Sequence, residues 1–242
     1  MHQGRRALIA VLTATALVIG LSWAGGRARD WLVGRGHYTV ALTEVACAVP
    51  PGIDRAAFIA EVQYLGTLPD QLSTLDPTVS LRMAVAFALH PWVERVTTVR
   101  LRGPDGPRVD LVLRTPALAA DGRVLDAHGV LLPSAAPAEG LIHWQGECPP
   151  PRGPAGTPWG DAALEAAARA AAALRPFQDT LHLTSVEGTT ENLVFSGAVR
   201  VEWGSAGDES TTAAKLARLR ELCDRPGGPG SEVDLRNVMG AK

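Results

Sequence analysis

An α+β fold behind an N-terminal transmembrane helix is predicted by three observations. A charge-free apolar run opens the chain, the hydrophobic period drops from about 3.6 to 2 near Thr97, and short Gly-bounded strands fill the last third. From Ala7 to Gly26 no charge interrupts Leu8, Ile9, Val11, Leu12, Leu17, Val18, Ile19 and Leu21. That is about the twenty residues a bilayer crossing needs. Arg5 and Arg6 precede the run and Trp23 lies near its far end, where an amphipathic ring suits a membrane interface. A cleaved signal peptide is the competing reading, because Ser22-Trp23-Ala24 resembles a small-x-small site, but its apolar stretch is usually only about 7–15 residues. Residues 1–30 therefore read as a short cytoplasmic tail and a membrane anchor. Arg27, Arg29 and Arg35 follow the run, so charge alone does not orient it.

His37 to Val49 reads as a strand ended by Pro50-Pro51-Gly52. Asp54 is a natural N-cap for a helix that places Phe58, Ile59, Val62 and Leu65 on one face. A second helix carries Leu81, Val85 and Leu89 and stops near His90, because Pro91 disfavours helical geometry in the residue before it. Thr97, Val99 and Leu101, then Val109, Leu111 and Leu113, alternate across Gly103-Pro104-Asp105-Gly106 as an antiparallel hairpin. Two short strands follow between Arg123 and Leu132, which closes a first domain at 37–135 with a trailing hairpin. The Pro/Gly-rich stretch 136–160, centred on Pro149-Pro150-Pro151, reads as a linker. A second domain, 161–242, mixes helices with an antiparallel sheet. It opens with an Ala-rich helix capped by Asp161 and ended by Pro176, and continues with strands at Leu181–Val186, Asn192–Phe195 and Val199–Trp203. A helix with Leu216, Leu219 and Leu222 on one stripe and a terminal strand, Glu232 to Asn237, complete it. That strand is a candidate exposed edge.

The 242 residues, 46% hydrophobic and 20% charged with a formal net charge of -2, leave no broad basic field for nucleic acid. Catalytic and cofactor signatures are missing too: there is no GxSxG, no HExxH and no phosphate-cradling glycine loop. His37, His90, His128, His143 and His182 are scattered singly, and Cys47, Cys148 and Cys223 match no metal ligand set. The cysteines read as small buried thiols, with one disulfide left open if the compartment is oxidising. Asp126 and His128 read as turn chemistry, and Trp92 as a plug of a small core. Arg100, Arg102 and Arg114 are placed together on the open face of the hairpin. They form a contact surface for a protein or anionic lipid, or a solvated face.

Leu89-His90-Pro91-Trp92-Val93-Glu94-Arg95-Val96, Val99-Arg100, Pro104, Leu111 to Leu113, Thr115-Pro116-Ala117-Leu118 and Val124-Leu125-Asp126-Ala127-His128-Gly129-Val130 stand in that order. With Gly197, Val201 to Gly204, Lys215-Leu216, Leu219 and Val233-Asp234-Leu235-Arg236, they resemble the FtsQ/DivIB cell-division proteins across nearly all of the chain. The resemblance implies a POTRA domain (β-α-α-β-β) at 37–135 and a β-domain at 161–242. It further implies a non-enzymatic, single-pass inner-membrane scaffold of the division septum, with its C-terminal part extracytoplasmic and no cofactor or small-molecule substrate. Partners would be divisome membrane proteins of the FtsB/FtsL type, docked along Glu232, Val233, Asp234, Leu235, Arg236 and Asn237 by strand addition. Asn237 stands where many relatives carry an aromatic residue, and Thr115 where they often carry Glu. The alternative is a POTRA-type module for polypeptide transport or envelope assembly, which would continue into a β-barrel that this chain ends too early to supply.

Overall fold

The computed structural model describes residues 15–27, 31, 38–103, 106–225 and 228–238. Residues 15–27 are helical (α1), with Leu17, Val18, Ile19, Leu21 and Trp23 exposed, while 7–14 of the expected span lie outside the described residues. Among the described residues no helix is long and apolar enough to cross a membrane. At about 1.5 Å per residue the described part of α1 reaches only about 20 Å, short of the ~30 Å hydrocarbon core. This corrects the expected transmembrane helix, and with it the single-pass, inner-membrane, septal placement with an extracytoplasmic C-terminal part.

The first domain runs β1 (Thr39–Ala41), a 3-10 turn (Leu42–Glu44), α2 (Arg55–Gly66), β2 (Gln71–Ser73), α3 (Val79–Ala88), β3 (Val93–Arg100) and β4 (Arg108–Leu113). The single strand expected over 37–49 is broken. Thr39–Ala41 pairs antiparallel with β2, whereas Ala46 bridges in parallel to β4, donating to the Pro107 carbonyl at 2.9 Å and accepting from the Val109 N–H at 2.8 Å. Asp54 caps α2 through the N–H groups of Ala56 and Ala57. The two helices touch where Gly66 meets Ala86; a Cβ on Gly66 would lie 2.1 Å from that of Ala86, so only glycine admits this crossing. Val40, Phe58, Val62, Met83, Phe87 and Val109 fill the core.

Leu81, Val85 and Leu89 face solvent instead: α3 is apolar almost all round, and Val79, Met83, Ala86 and Phe87 take the inside.

The second domain is a mixed seven-stranded sheet, ordered β11-β10-β9-β8-β7-β5-β6. Its strands are β5 (Pro116–Ala120), β6 (Arg123–Asp126), β7 (Ile142–Trp144), β8 (Ser185–Thr189), β9 (Asn192–Ser196), β10 (Arg200–Gly204) and β11 (Glu232–Asp234). The pairs β5–β7, β7–β8 and β10–β11 are parallel and the other three antiparallel, so the antiparallel sheet of the sequence reading is corrected to a mixed one. Of the two short strands expected between Arg123 and Leu132 only the first forms a full strand, as β6, while Val130 and Leu131 make isolated bridges. β6 pairs with β5, so the hairpin β5–β6 belongs to this sheet and not to the first domain. Its turn, Asp121-Gly122, has φ of 47° and 69°, the left-handed pair that suits a two-residue hairpin. The stretch 136–160 is folded rather than a spacer: it carries β7 and the buried Trp159, whose indole N–H donates to the Pro149 carbonyl at 2.8 Å. Proline and glycine set the irregular path of this segment, while Leu141, Ile142, Trp144 and Trp159 bury it.

One face of the sheet is covered by α4 (Ala162–Leu174), the short α5 (Gln178–Leu181) and α6 (Glu209–Cys223). Asp161 caps α4 through Ala163 and Leu164, and buried alanines at 166, 167, 168, 170 and 171 let that helix lie close to the strands. On the other face Trp92 packs with Ala119, Val124, Leu132 and Leu141, and so joins the two domains.

Candidate partner-binding edge

β11 is the last strand of the sheet, held to β10 in parallel register with Val201 opposite Val233 and Glu202 opposite Asp234. The Arg200 N–H donates to the Ser231 carbonyl at 3.0 Å and the Leu235 N–H to the Glu202 carbonyl at 2.9 Å. Residues 231, 233 and 235 thus spend their main-chain groups on β10, and by the two-residue alternation Glu232 and Asp234 turn theirs toward the open edge. Val233 and Leu235 are buried and anchor the strand.

Asp234 does two jobs. Its Oδ1 accepts from the Arg236 N–H at 2.9 Å and from Arg236 Nε at 3.0 Å, and Oδ2 accepts from an Arg236 terminal nitrogen at 2.8 Å. These bonds favour the charged carboxylate and hold its pKa down to about 2. They also turn the chain: the strand ends at Asp234, so Arg236 and Asn237 sit in an exposed turn rather than in the six-residue strand expected. Arg236 reaches back to Glu202 at 2.7 Å, and Arg200 lies 3.9 Å from both Glu202 and Glu232.

Behind this edge stands Lys215, whose signal by resemblance is only the family-like pair Lys215-Leu216. It is buried on α6, donates to the carbonyls of Trp203 and, at 2.7 Å, Ser205, and lies 5.0 Å from the Trp203 ring centroid. Burial pushes its ammonium below the ordinary 10.5. The legible signal was position: Lys215 and Leu219, four apart, are the residues α6 buries. A lysine on a buried stripe must find acceptors, and it ties α6 to the end of β10.

The arginines placed on the hairpin face separate. Arg100 and Arg108 both bind Asp110, at 2.8 and 2.6 Å, and Arg102 donates to Thr74 Oγ1 at 3.2 Å with its guanidinium over Tyr38. Arg114 is not on that face. Its side chain is 14% exposed and donates to the buried Asp126 at 2.7 Å, at the junction of the two domains. Asp126 also accepts from the N–H groups of His128 and Val130, both at 2.8 Å, as turn chemistry requires.

His90 is buried. Its Nδ1 accepts from the Trp92 N–H and its Nε2 lies 3.0 Å from a Glu61 oxygen. Among the described residues no group of three His, Cys, Asp or Glu could hold a metal ion, and the three cysteines are free thiols. Tyr64, Leu65, Leu81, Val85 and Leu89 of the first domain are exposed large apolar side chains. No family model matches this chain, and no curated protein matches it.

Proposed function

We propose that the protein is a non-catalytic cell-division scaffold of the FtsQ/DivIB kind, which bridges other division proteins by adding a partner strand to β11. The observation that carries this reading is the edge itself: a terminal strand anchored by Val233 and Leu235 that turns the main-chain groups of Glu232 and Asp234 outward. Strand addition draws its affinity from such groups. Segments of the FtsB/FtsL type are the proposed occupants.

Glu232→Pro tests it, because proline at the first residue of a strand removes an outward N–H and spares the β10 ladder. The host's FtsB-type protein should co-purify with the full chain and lose at least about tenfold in affinity for the variant, while the melting temperature holds. Depletion of the protein should give filamentous, undivided cells. Normal division on depletion would sink the scaffold reading, and undiminished capture by Glu232→Pro would move the docking site away from β11.

A further inference from the structure

The open edge borders an acidic sheet face. On the side away from α4 and α6, Glu187 stands opposite Val194, Val194 opposite Glu202, and Glu202 opposite Asp234, so one row across four strands ends in a carboxylate at the edge. Glu232 stands beside it, opposite Arg200. Among the described residues of these four strands and the turn after them, Glu187, Glu202, Glu232 and Asp234 share this face with Arg200 and Arg236. Arg236 is committed to Asp234 and Glu202, while Arg200 lies 3.9 Å from Glu202 and Glu232. The free edge is also short. Arg236 would be the next residue to offer an outward N–H, but the Asp234 carboxylate already accepts it at 2.9 Å.

A strand laid against β11 therefore has Glu232 and Asp234 as its nearest cross-strand neighbours on the polar side, where opposite charges attract and like charges repel. On the other side it continues the layer of Val233 and Leu235. We propose that the edge selects a short extended segment carrying basic side chains at alternate positions, with its apolar residues on the core side. This selectivity rests on the reading of β11 as a docking edge.

Two fluorescein-labelled peptides of equal length, one alternating lysine with valine and one alternating glutamate with valine, test both by fluorescence anisotropy on the full chain. The lysine peptide should bind about fivefold tighter or better at low salt. The preference should shrink in about 1 M salt, where the screening length is about 3 Å. It should vanish in the double variant Glu232→Gln, Asp234→Asn, which keeps the main-chain edge and an acceptor for the Arg236 N–H. Glu232→Pro should abolish binding that Glu232→Gln, having lost the same charge, retains.

Equal binding of both peptides, lost in Glu232→Pro, would overturn the charge selectivity and leave the edge reading standing. A preference that survives the double variant would also overturn it, since the selecting charges would lie elsewhere. Lysine-peptide binding indifferent to Glu232→Pro would be charge attraction without strand pairing and would overturn both ideas, as would no binding of either peptide.

Discussion

At the β6 end of the seven-stranded sheet the chain turns back and closes the edge; at the β11 end, among the described residues, it does not. Beyond β6, the Asp126 N–H donates to the Val130 carbonyl and the Leu132 N–H to the Val124 carbonyl. Val130 and Leu131 then pair onward with Pro158 and Thr157. Trp92 seals the face beside them, and Arg114 ties the junction to Asp126. Beyond β11 there are outward main-chain groups at Glu232 and Asp234, ringed by Arg200, Glu202 and Arg236. Exposed edges invite unwanted pairing, and short length and charge are the usual guards. Among the described residues the chain therefore covers the edge that joins its domains and guards the other without covering it.

The largest expected effect strikes the closed end. Asp126→Ala leaves the mostly buried Arg114 guanidinium without its carboxylate and two N–H groups without their acceptor. Breaking a buried pair from one side typically costs about 3–5 kcal/mol. Urea denaturation should show that loss, with Asp126→Asn milder because an amide oxygen still accepts from the turn. A loss under about 1 kcal/mol would mean that water already reaches the junction and that the closed edge is less closed than its geometry.

The open end should respond less. Lys215→Met keeps the buried stem but leaves the Trp203 and Ser205 carbonyls without their donor, while relieving a buried charge. The net loss expected is about 1–2 kcal/mol, read from the same urea midpoint. If stability rises instead, the desolvation of the ammonium outweighs its two hydrogen bonds, and Lys215 is kept for something other than holding α6 to β10.

Much of this contrast was legible before any fold was known. Asp54 and Asp161 announced two helices, the alternation on either side of Gly103 announced the β3–β4 hairpin, and the terminal strand was placed within three residues of its end. The rest lay in relations that local pattern does not carry. A helix such as α3, apolar almost all round, does not declare which side is inside, so nothing in its local pattern marks Leu81, Val85 and Leu89 as surface. The Asp121-Gly122 step is a strong hairpin signal, yet nothing local says which sheet the hairpin joins. Alternation likewise does not distinguish the parallel neighbours of β7 and β11 from antiparallel ones. At the candidate site the strand was readable and its curtailment was not, because the turn depends on one carboxylate reaching two residues ahead.

Mild acid offers the finest division between the two ends. Burial holds His90 below its ordinary 6.5, outweighing the hydrogen bond and charge of Glu61, which push the other way. The unfolded chain therefore takes up that proton more readily than the folded one. The contribution of His90 is complete above about pH 6.5 and is lost progressively as the pH falls below it. His90 accepts from the N–H of Trp92, so the strain of protonation arises at the residue that seals the junction. Asp234 behaves differently: with its pKa at about 2 against an ordinary 3.8, its contribution persists until the pH falls through that lower window. Between about pH 7 and 5, amide protection factors, corrected for the intrinsic slowing of exchange in acid, should fall around Trp92, Ala119 and Val124 and stay constant along β11. His90→Gln, which titrates nothing, should flatten the change at the junction. Protection lost first along β11 would reverse the order of the two ends and place the acid-sensitive contact at the open edge.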